Sequence, residues 1–440
     1  MNSPETVALK KDVGLFGIVS IGIGSAVGVS IFSVIAPSTA LAGPAMLIAL
    51  LIAMAPMIIF AIVYAFMGSA LPVSGASYEW PRRFIHPFVG FLISWLRIAG
   101  NIAALIVLSV VLVSYLSMAL PLPQKPTIFA IFMLVFVLNI VGVSAAARWQ
   151  SLMLVILLAT CAILVFYSAP HLKMENFAPL LSKGWLGVFA AIPLMITLFL
   201  GIESAVEVGG EIKNPGRNIP AGIFISVVLT AMIYFSVAAS ALGVLGEADL
   251  GASSAPLLDA ANVVLGDWGK PLILVCATVA IGTSINAIFM IFARFLYAMG
   301  RTGVLPSVLA RIHPRFRTPH VASIVAFVFC CLGLLLPSNL IFLFLAVNIP
   351  TLLKYGAVSI SAARLLKQEP ALYANARFRP AKPVILFLAY LGAIVAIAVI
   401  ALGISADWRP YAALGGWAAL GVIYYLLNAR RMRVEIPAES

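Results

Sequence analysis

The stretch "GIGSAVGVSIF", Gly22 to Phe32, sits inside an apolar run from Val13 to Ala36 that is long enough to cross a membrane. Its glycines Gly22, Gly24 and Gly28 each cost about 1 kcal/mol against alanine inside a helix, so the run weakens itself at its centre. Two readings follow. Gly24 and Gly28 can form a small-residue packing face between unbroken helices. Alternatively the helix unwinds there, leaving N–H and C=O groups in hydrocarbon at several kcal/mol each unless protein, water or a ligand satisfies them.

The composition sets the class. The 440 residues are 63% hydrophobic and 10% charged, where soluble domains carry about 25% charged residues. Apolar runs of about 20 residues recur from end to end, which predicts an all-α polytopic membrane protein with one transport-size membrane domain over 1–440. Twelve spans are expected, at 13–37, 42–70, 87–119, 127–145, 148–169, 187–210, 219–246, 269–299, 320–336, 339–364, 383–404 and 409–428. The first run is too long for a signal-peptide core and has no small-residue cleavage site, so it reads as mature structure. The four cysteines fall inside apolar runs as small core residues, and the four histidines have no ligand-like spacing. No metal or cofactor is implied.

Charge gives the orientation. With both termini inside, 20 of the 27 basic residues lie on the cytoplasmic side and five outside: Lys125, Lys173, Lys183, Lys270 and Arg409. That asymmetry is the positive-inside pattern of a multi-pass protein of the plasma membrane. It accounts for the net charge of +12 without a nucleic-acid surface. The loop between spans 7 and 8 is acidic, with Glu247, Asp249, Asp259 and Asp267. It is either a cover for the outer mouth or an ordinary solvated loop.

A second weak point occurs in span 6, "TLFLGIESAVEVGGEIKNPGRNIP" (Thr197–Pro220), where Gly201 and Glu203 interrupt the apolar run. If spans 1–5 (about 13–169) and 6–10 (about 187–364) are two repeats, each opens with an interrupted helix. Five is odd, so the repeats are inverted, with helices 11 and 12 (about 383–428) added. Paired interruptions in corresponding positions point to a transporter's binding site. Free N–H groups near Gly28 favour a carboxylate, and free carbonyls near Ala26 and Leu200 favour an ammonium group. Together they suit an α-amino acid.

These segments resemble the amino acid–polyamine–organocation (APC) permeases, including bacterial amino acid antiporters. "GSAVGVSIF" (Gly24–Phe32) is similar to the family's break in helix 1. "GIESAVEVGGEIKNPGRNIP" (Gly201–Pro220) is similar to its helix 6 break and the loop that follows. "PVSGASYEW" (Pro72–Trp80) and "ARFLYAMGRTGVLP" (Ala293–Pro306) resemble the segments after helix 2 and closing helix 8. The resemblance implies a substrate carboxylate on the N–H groups of Gly28, Val29 and Ser30. The amine would meet the carbonyls of Ala26, Thr197 and Leu200 beside Gly201, and Asn101 would face the substrate side chain. It also implies that Glu203 is a gating or proton-linked carboxylate. Two positions depart from the family: Ser30 replaces the third glycine of the triplet, and Leu157 stands where some members carry a proton-coupling lysine.

Arg97 and Lys354 each lie ten residues inside an expected span, about 15 Å deep at 1.5 Å per residue. A charge there costs at least about 2.5 kcal/mol. Glu203, Glu207 and Glu211 recur at four-residue spacing, one stripe of a helix; Glu211, beside Lys213, reads as a solvated helix end. The expectation pairs Arg97 or Lys354 with Glu203 or Glu207 as a gate or proton relay, against a permanent structural pair. Arg97 can instead contact an acidic or polar substrate, whereas "SINAIF" and "AVNIPT" favour an apolar pocket and neutral amino acids. The expected function is secondary amino acid transport by alternating access, with proton symport and exchange both open and an amino acid/amine antiporter as alternative. A channel or receptor lacks its continuous polar stripe here, and an enzyme lacks a nucleophile motif, metal spacing or phosphate loop.

Overall fold

The computed structural model describes residues 11–27, 29–117, 120–141, 143–253, 255–335, 340–404 and 407–432. These residues form α-helices joined by short 3-10 turns, with only two isolated β-bridges. The chain begins with α1 (Leu15–Ala26), α2 (Val29–Ser33), α3 (Ile35–Ala42), α4 (Met46–Ala70), α5 (Ala76–Phe84) and α6 (Pro87–Leu116). Next come α7 (Gln124–Val141), α8 (Val143–Ser168), α9 (Gly184–Ile196), α10 (Pro215–Ala252), α11 (Pro256–Leu265) and α12 (Gly269–Arg301). The last are α13 (His320–Gly333), α14 (Leu340–Gln368), α15 (Pro370–Asn375), α16 (Lys382–Gly403) and α17 (Arg409–Met432).

Among the described residues eleven stretches are long and apolar enough to cross a membrane, so the protein is a multi-span helical bundle. The remaining apolar helix, α13, has 14 residues. At 1.5 Å per residue it covers about 21 Å, less than the roughly 30 Å hydrocarbon core. Helix starts follow the sequence closely. Pro87, Pro215 and Pro256 each occupy a first turn, where the missing N–H has no partner to lose. The acidic segment after span 7 is partly helical: α10 runs on to Ala252 through a non-helical Gly246, and α11 packs on α8, α10 and α12. Helix α5 was not expected from the apolar pattern, because its residues alternate between a buried Tyr78–Trp80 face and the charged Arg82 and Arg83.

Burial sorts the bundle. An 18-residue stretch of α6 is 78% buried and one of α17 only 17%, so α6 runs through the centre while α17 lies at the edge. Large exposed apolar side chains, including Phe166, Phe224, Met232, Ile394 and Leu427, cover the outer faces. In water such a surface would demand a partner; in hydrocarbon it is the ordinary solvent contact. The edge helix is tied in by an exchange of hydrogen bonds. The indole N–H of Trp95 donates to the Trp417 carbonyl and that of Trp417 to the Trp95 carbonyl, both at 2.8 Å, with the rings stacked. Cys161, Cys276 and Cys330 are buried free thiols.

Candidate substrate site at two helix breaks

The first interruption is a real break. Helix α1 stops at Ala26, Val27 takes a non-helical conformation (φ −83°, ψ 79°), and α2 starts at Val29. Gly28 lies outside the described residues. The second break follows α9. Leu200 is extended, Gly201 is left-handed at φ 104°, and the chain continues in 3-10 turns through Glu207. The two breaks lie against each other: a Cβ on Gly201 would come within 3.2 Å of the Ser25 side chain and 3.3 Å of its carbonyl oxygen. Gly22 serves the same approach, since a Cβ there would sit 2.8 Å from the Ile202 carbonyl oxygen. Opening glycines thus supply contact distance as well as backbone freedom.

Unwinding is tolerated because side chains take over the freed backbone groups. The Tyr234 hydroxyl donates to the Ala26 carbonyl at 2.7 Å, and the Ser284 hydroxyl donates to the Gly24 carbonyl. At the second break the Gly201 N–H donates to the Tyr355 hydroxyl at 3.1 Å. Removing one such partner leaves a buried group unsatisfied. Tyr234→Phe is therefore expected to cost about 1–3 kcal/mol, read as a lowered unfolding temperature in detergent, while Tyr167→Phe on the exposed end of α8 changes little.

Between the breaks is a cavity of about 80 Å³. Ala26, Ser30, Thr197 and Leu200 all line it, so four of the residues singled out from sequence meet there. The remaining wall is mostly apolar, from Ala104, Val107 and Leu108 of α6, Ile288 of α12, and Phe344 and Val347 of α14. The Ser30 hydroxyl donates to the Thr197 carbonyl at 3.4 Å, spanning the two breaks. Val29 opens α2, and Gly201 sits behind Leu200 against Ser25. Asn101 does not line this cavity. It lies one turn before Ala104 on α6, where its side-chain oxygen accepts from Arg97 at 2.7 Å.

Behind the cavity is a buried polar layer. Thr351, Lys354 and Tyr355 project from one face of α14 at i, i+3 and i+4 spacing. Lys354 Nζ meets Glu203 Oε1 at 2.5 Å, and the Tyr355 hydroxyl donates to Glu203 Oε2 at 2.6 Å. Arg97 finds no carboxylate among the described residues; it donates to Thr351 Oγ1 at 2.6 Å and to Asn101. Glu207 accepts from the Ser77 N–H at 3.1 Å and from the Ser77 hydroxyl, which in turn contacts Tyr64. Of the four charges expected to interact, one pair meets directly.

Glu211 corrects one expectation. It is not a solvated helix end: it is buried and paired with buried Arg294 at 3.2 Å. The segment is 3-10 rather than α-helical, so the three glutamates do not form one helical stripe and each finds a different partner. Nearby, three chain segments are laced by backbone. The Asp12 and Val13 N–H groups donate to the Glu211 carbonyl, Lys213 N–H to the Val13 carbonyl, and Gly75 N–H to the Glu207 carbonyl. These bonds tie the segment before α1 and the start of α5 to the chain after the second break. Sequence reading missed Tyr355, Thr351, Ser77, Tyr64, Tyr234 and Ser284. The only trace of them is a hydroxyl inside an apolar run, which by itself does not say which backbone group it serves.

Two interrupted helices facing one cavity, in a lipid-exposed bundle, define a membrane carrier, and the comparisons agree. The profile of the amino acid permease family matches residues 13–428, and the chain belongs to that family, an APC-type amino acid permease. It is 27% identical to the branched-chain amino acid permease BcaP of Bacillus subtilis, covering 96% of this chain and 94% of the relative. It is 26% identical to the methylthioribose transporter of the same organism, over 97% and 95%. To the aspartate-proton symporter, also of Bacillus subtilis, it is 26% identical over 81% and 73%. The protein is thus a non-enzymatic secondary transporter of a small solute across a membrane. Among the described residues no three His, Cys, Asp or Glu side chains group as metal ligands would.

Proposed function

We propose that this chain moves α-amino acids across the plasma membrane by alternating access, with both termini cytoplasmic. The observation that carries this reading is the shared cavity: both helix breaks open onto it, through Ala26 and Ser30 on one side and Thr197 and Leu200 on the other. The substrate carboxylate sits on the N–H groups of Gly28, Val29 and Ser30. Its ammonium meets the carbonyls of Thr197 and Leu200 and the lone pair of Ala26 that Tyr234 leaves free. The architecture is twelve spans in two inverted repeats of five, α13 included, with α16 and α17 added. Transport then requires the backbone lacing at Val13, Gly75 and Lys213 to part while the opposite end closes.

The apolar wall supports neutral amino acids, in keeping with a relative named for branched-chain substrates. The relative named as an aspartate-proton symporter supports proton coupling as the driving force. Exchange of one amino acid for another, or for an amine, uses the same site without it. Glu203, Glu207, Arg97 and Lys354 form the gating or coupling group. Purified protein in liposomes, given each ¹⁴C-labelled amino acid with a proton gradient or with unlabelled amino acids inside, tests the reading. Uptake of neutral amino acids above empty liposomes is expected, and failure of every amino acid and amine under both conditions overturns it.

A further inference from the structure

Arg97, Lys354, Glu203 and Glu207 are all buried, and their formal charges cancel. Their pairing is unequal. Glu203 and Lys354 form a direct ion pair at 2.5 Å, while Arg97 meets only neutral Thr351 and Asn101. Glu207 is fully enclosed, receives hydrogen bonds only from Ser77, and has no ion pair among the described residues. We infer that Glu207 is the residue that takes up and releases a coupling proton, while Glu203 stays ionised against Lys354. This rests on the transport reading above.

The unequal pairing supplies the reason. Protonating Glu203 would strand the buried Lys354 ammonium, a loss of the kind that makes breaking buried pairs costly. Protonating Glu207 strands nothing in contact with it and removes an unpaired buried anion. Ser77 accommodates both states. Its hydroxyl donates to the carboxylate, and it accepts from the carboxylic acid once a proton arrives.

The surroundings leave Glu207 the free choice. The element packed on it from α4 offers Tyr64, bonded to Ser77, and α1 offers no titratable group. From α5 come Tyr78, bonded to Thr302, and Glu79, held by Arg82. Arg294 of α12 is taken by Glu211, and Tyr234 of α10 by the Ala26 carbonyl. Lys354 and Tyr355 of α14 bond to Glu203, and both Lys354 and Arg97 of α6 act on Glu207 only through space, from beyond contact. The location couples the proton to movement. The backbone carbonyl of Glu207 accepts from Gly75, and Val208 bridges Ser74, so the carboxyl sits on the lacing that must part. The proton enters from water on one side of the membrane and returns to water on the other.

The test uses proteoliposomes holding the pH dye pyranine and an external mixture of the twenty amino acids. Wild-type protein is expected to acidify the interior on addition of the mixture and to catalyse counterflow of a ¹⁴C-labelled mixture. Glu207→Gln lowers the ratio of acidification to counterflow at least tenfold, and Glu207→Asp restores part of it. Ser77→Ala, which retains the carboxyl, moves the midpoint of pH-dependent uptake to higher pH, and this arm stands if Glu207→Gln fails to fold. An undiminished ratio in Glu207→Gln, an unmoved midpoint in Ser77→Ala, or wild-type uptake with no acidification overturns the inference. Absence of wild-type counterflow instead overturns the transport reading itself.

Discussion

Lys354→Met is expected to destabilise the protein by about 3–5 kcal/mol, because it leaves the Glu203 carboxylate buried with no cation. The side chains of Lys354 and Glu203 are 3% and 4% exposed, so water cannot replace the lost partner. Tyr355 still donates one hydrogen bond to Glu203, but a neutral hydroxyl does not balance a charge. The double variant Glu203→Gln with Lys354→Met removes both charges, and most of the loss should return. Unfolding temperatures of the two single variants and the double variant, in one detergent, measure this as a coupling energy. Equal destabilisation by the single and double variants would show that packing of the lysine stem, not the charge, is what matters. Transport separates two further roles: a structural pair predicts that the double variant carries substrate, whereas an obligatory gate predicts a folded but inactive protein.

The second large effect is expected at Gly201. Its φ of 104° is a conformation L-residues rarely adopt, and an added Cβ would press on the Ser25 side chain and backbone at 3.2–3.4 Å. A left-handed backbone costs a side-chain-bearing residue about 1–2 kcal/mol before any contact is counted. Relief requires moving either Leu200, which lines the cavity, or Ser25, which does too. Gly201→Ala should therefore lower labelled amino acid uptake at least tenfold, with a drop in unfolding temperature of a few degrees. Gly282→Ala is the control: it lies inside α12 with nothing within 4 Å of an added Cβ. There alanine gains about 0.5–1 kcal/mol of helix stability, and uptake should be unchanged. Similar uptake by both variants would mean that the second break does not shape the site.

Legibility followed the range of the interactions involved. The bundle could be read directly, because an apolar run needs only its own backbone hydrogen bonds and lipid on its outer face. The two breaks were legible for the same local reason: glycines in mid-run at Gly22–Gly28 and at Gly201 weaken the helix wherever the rest of the chain lies. Of the four cavity residues, Ala26 and Leu200 followed from the breaks, while Ser30 and Thr197 came from the resemblance to the APC permeases. Glu211 was misread because its neighbour Lys213 is close in sequence, whereas its actual partner Arg294 is 83 residues away. Nor did the four-residue spacing of the glutamates survive, since tertiary contacts hold that segment in 3-10 turns.

By itself, then, the sequence determined that this is a multi-span helical membrane protein, where its helices fail, and that Arg97 and Lys354 lie deep in the apolar region. Only the tertiary structure decided how those charges are met: Lys354 by Glu203, Arg97 by Thr351 and Asn101, and Glu207, among the described residues, by Ser77 alone. The physical reason is distance along the chain. Helix formation and its failure are set within a few residues, while the cost of a buried charge is settled by whichever side chain the fold brings within about 3 Å, and between Glu203 and Lys354 that meant a separation of 151 residues.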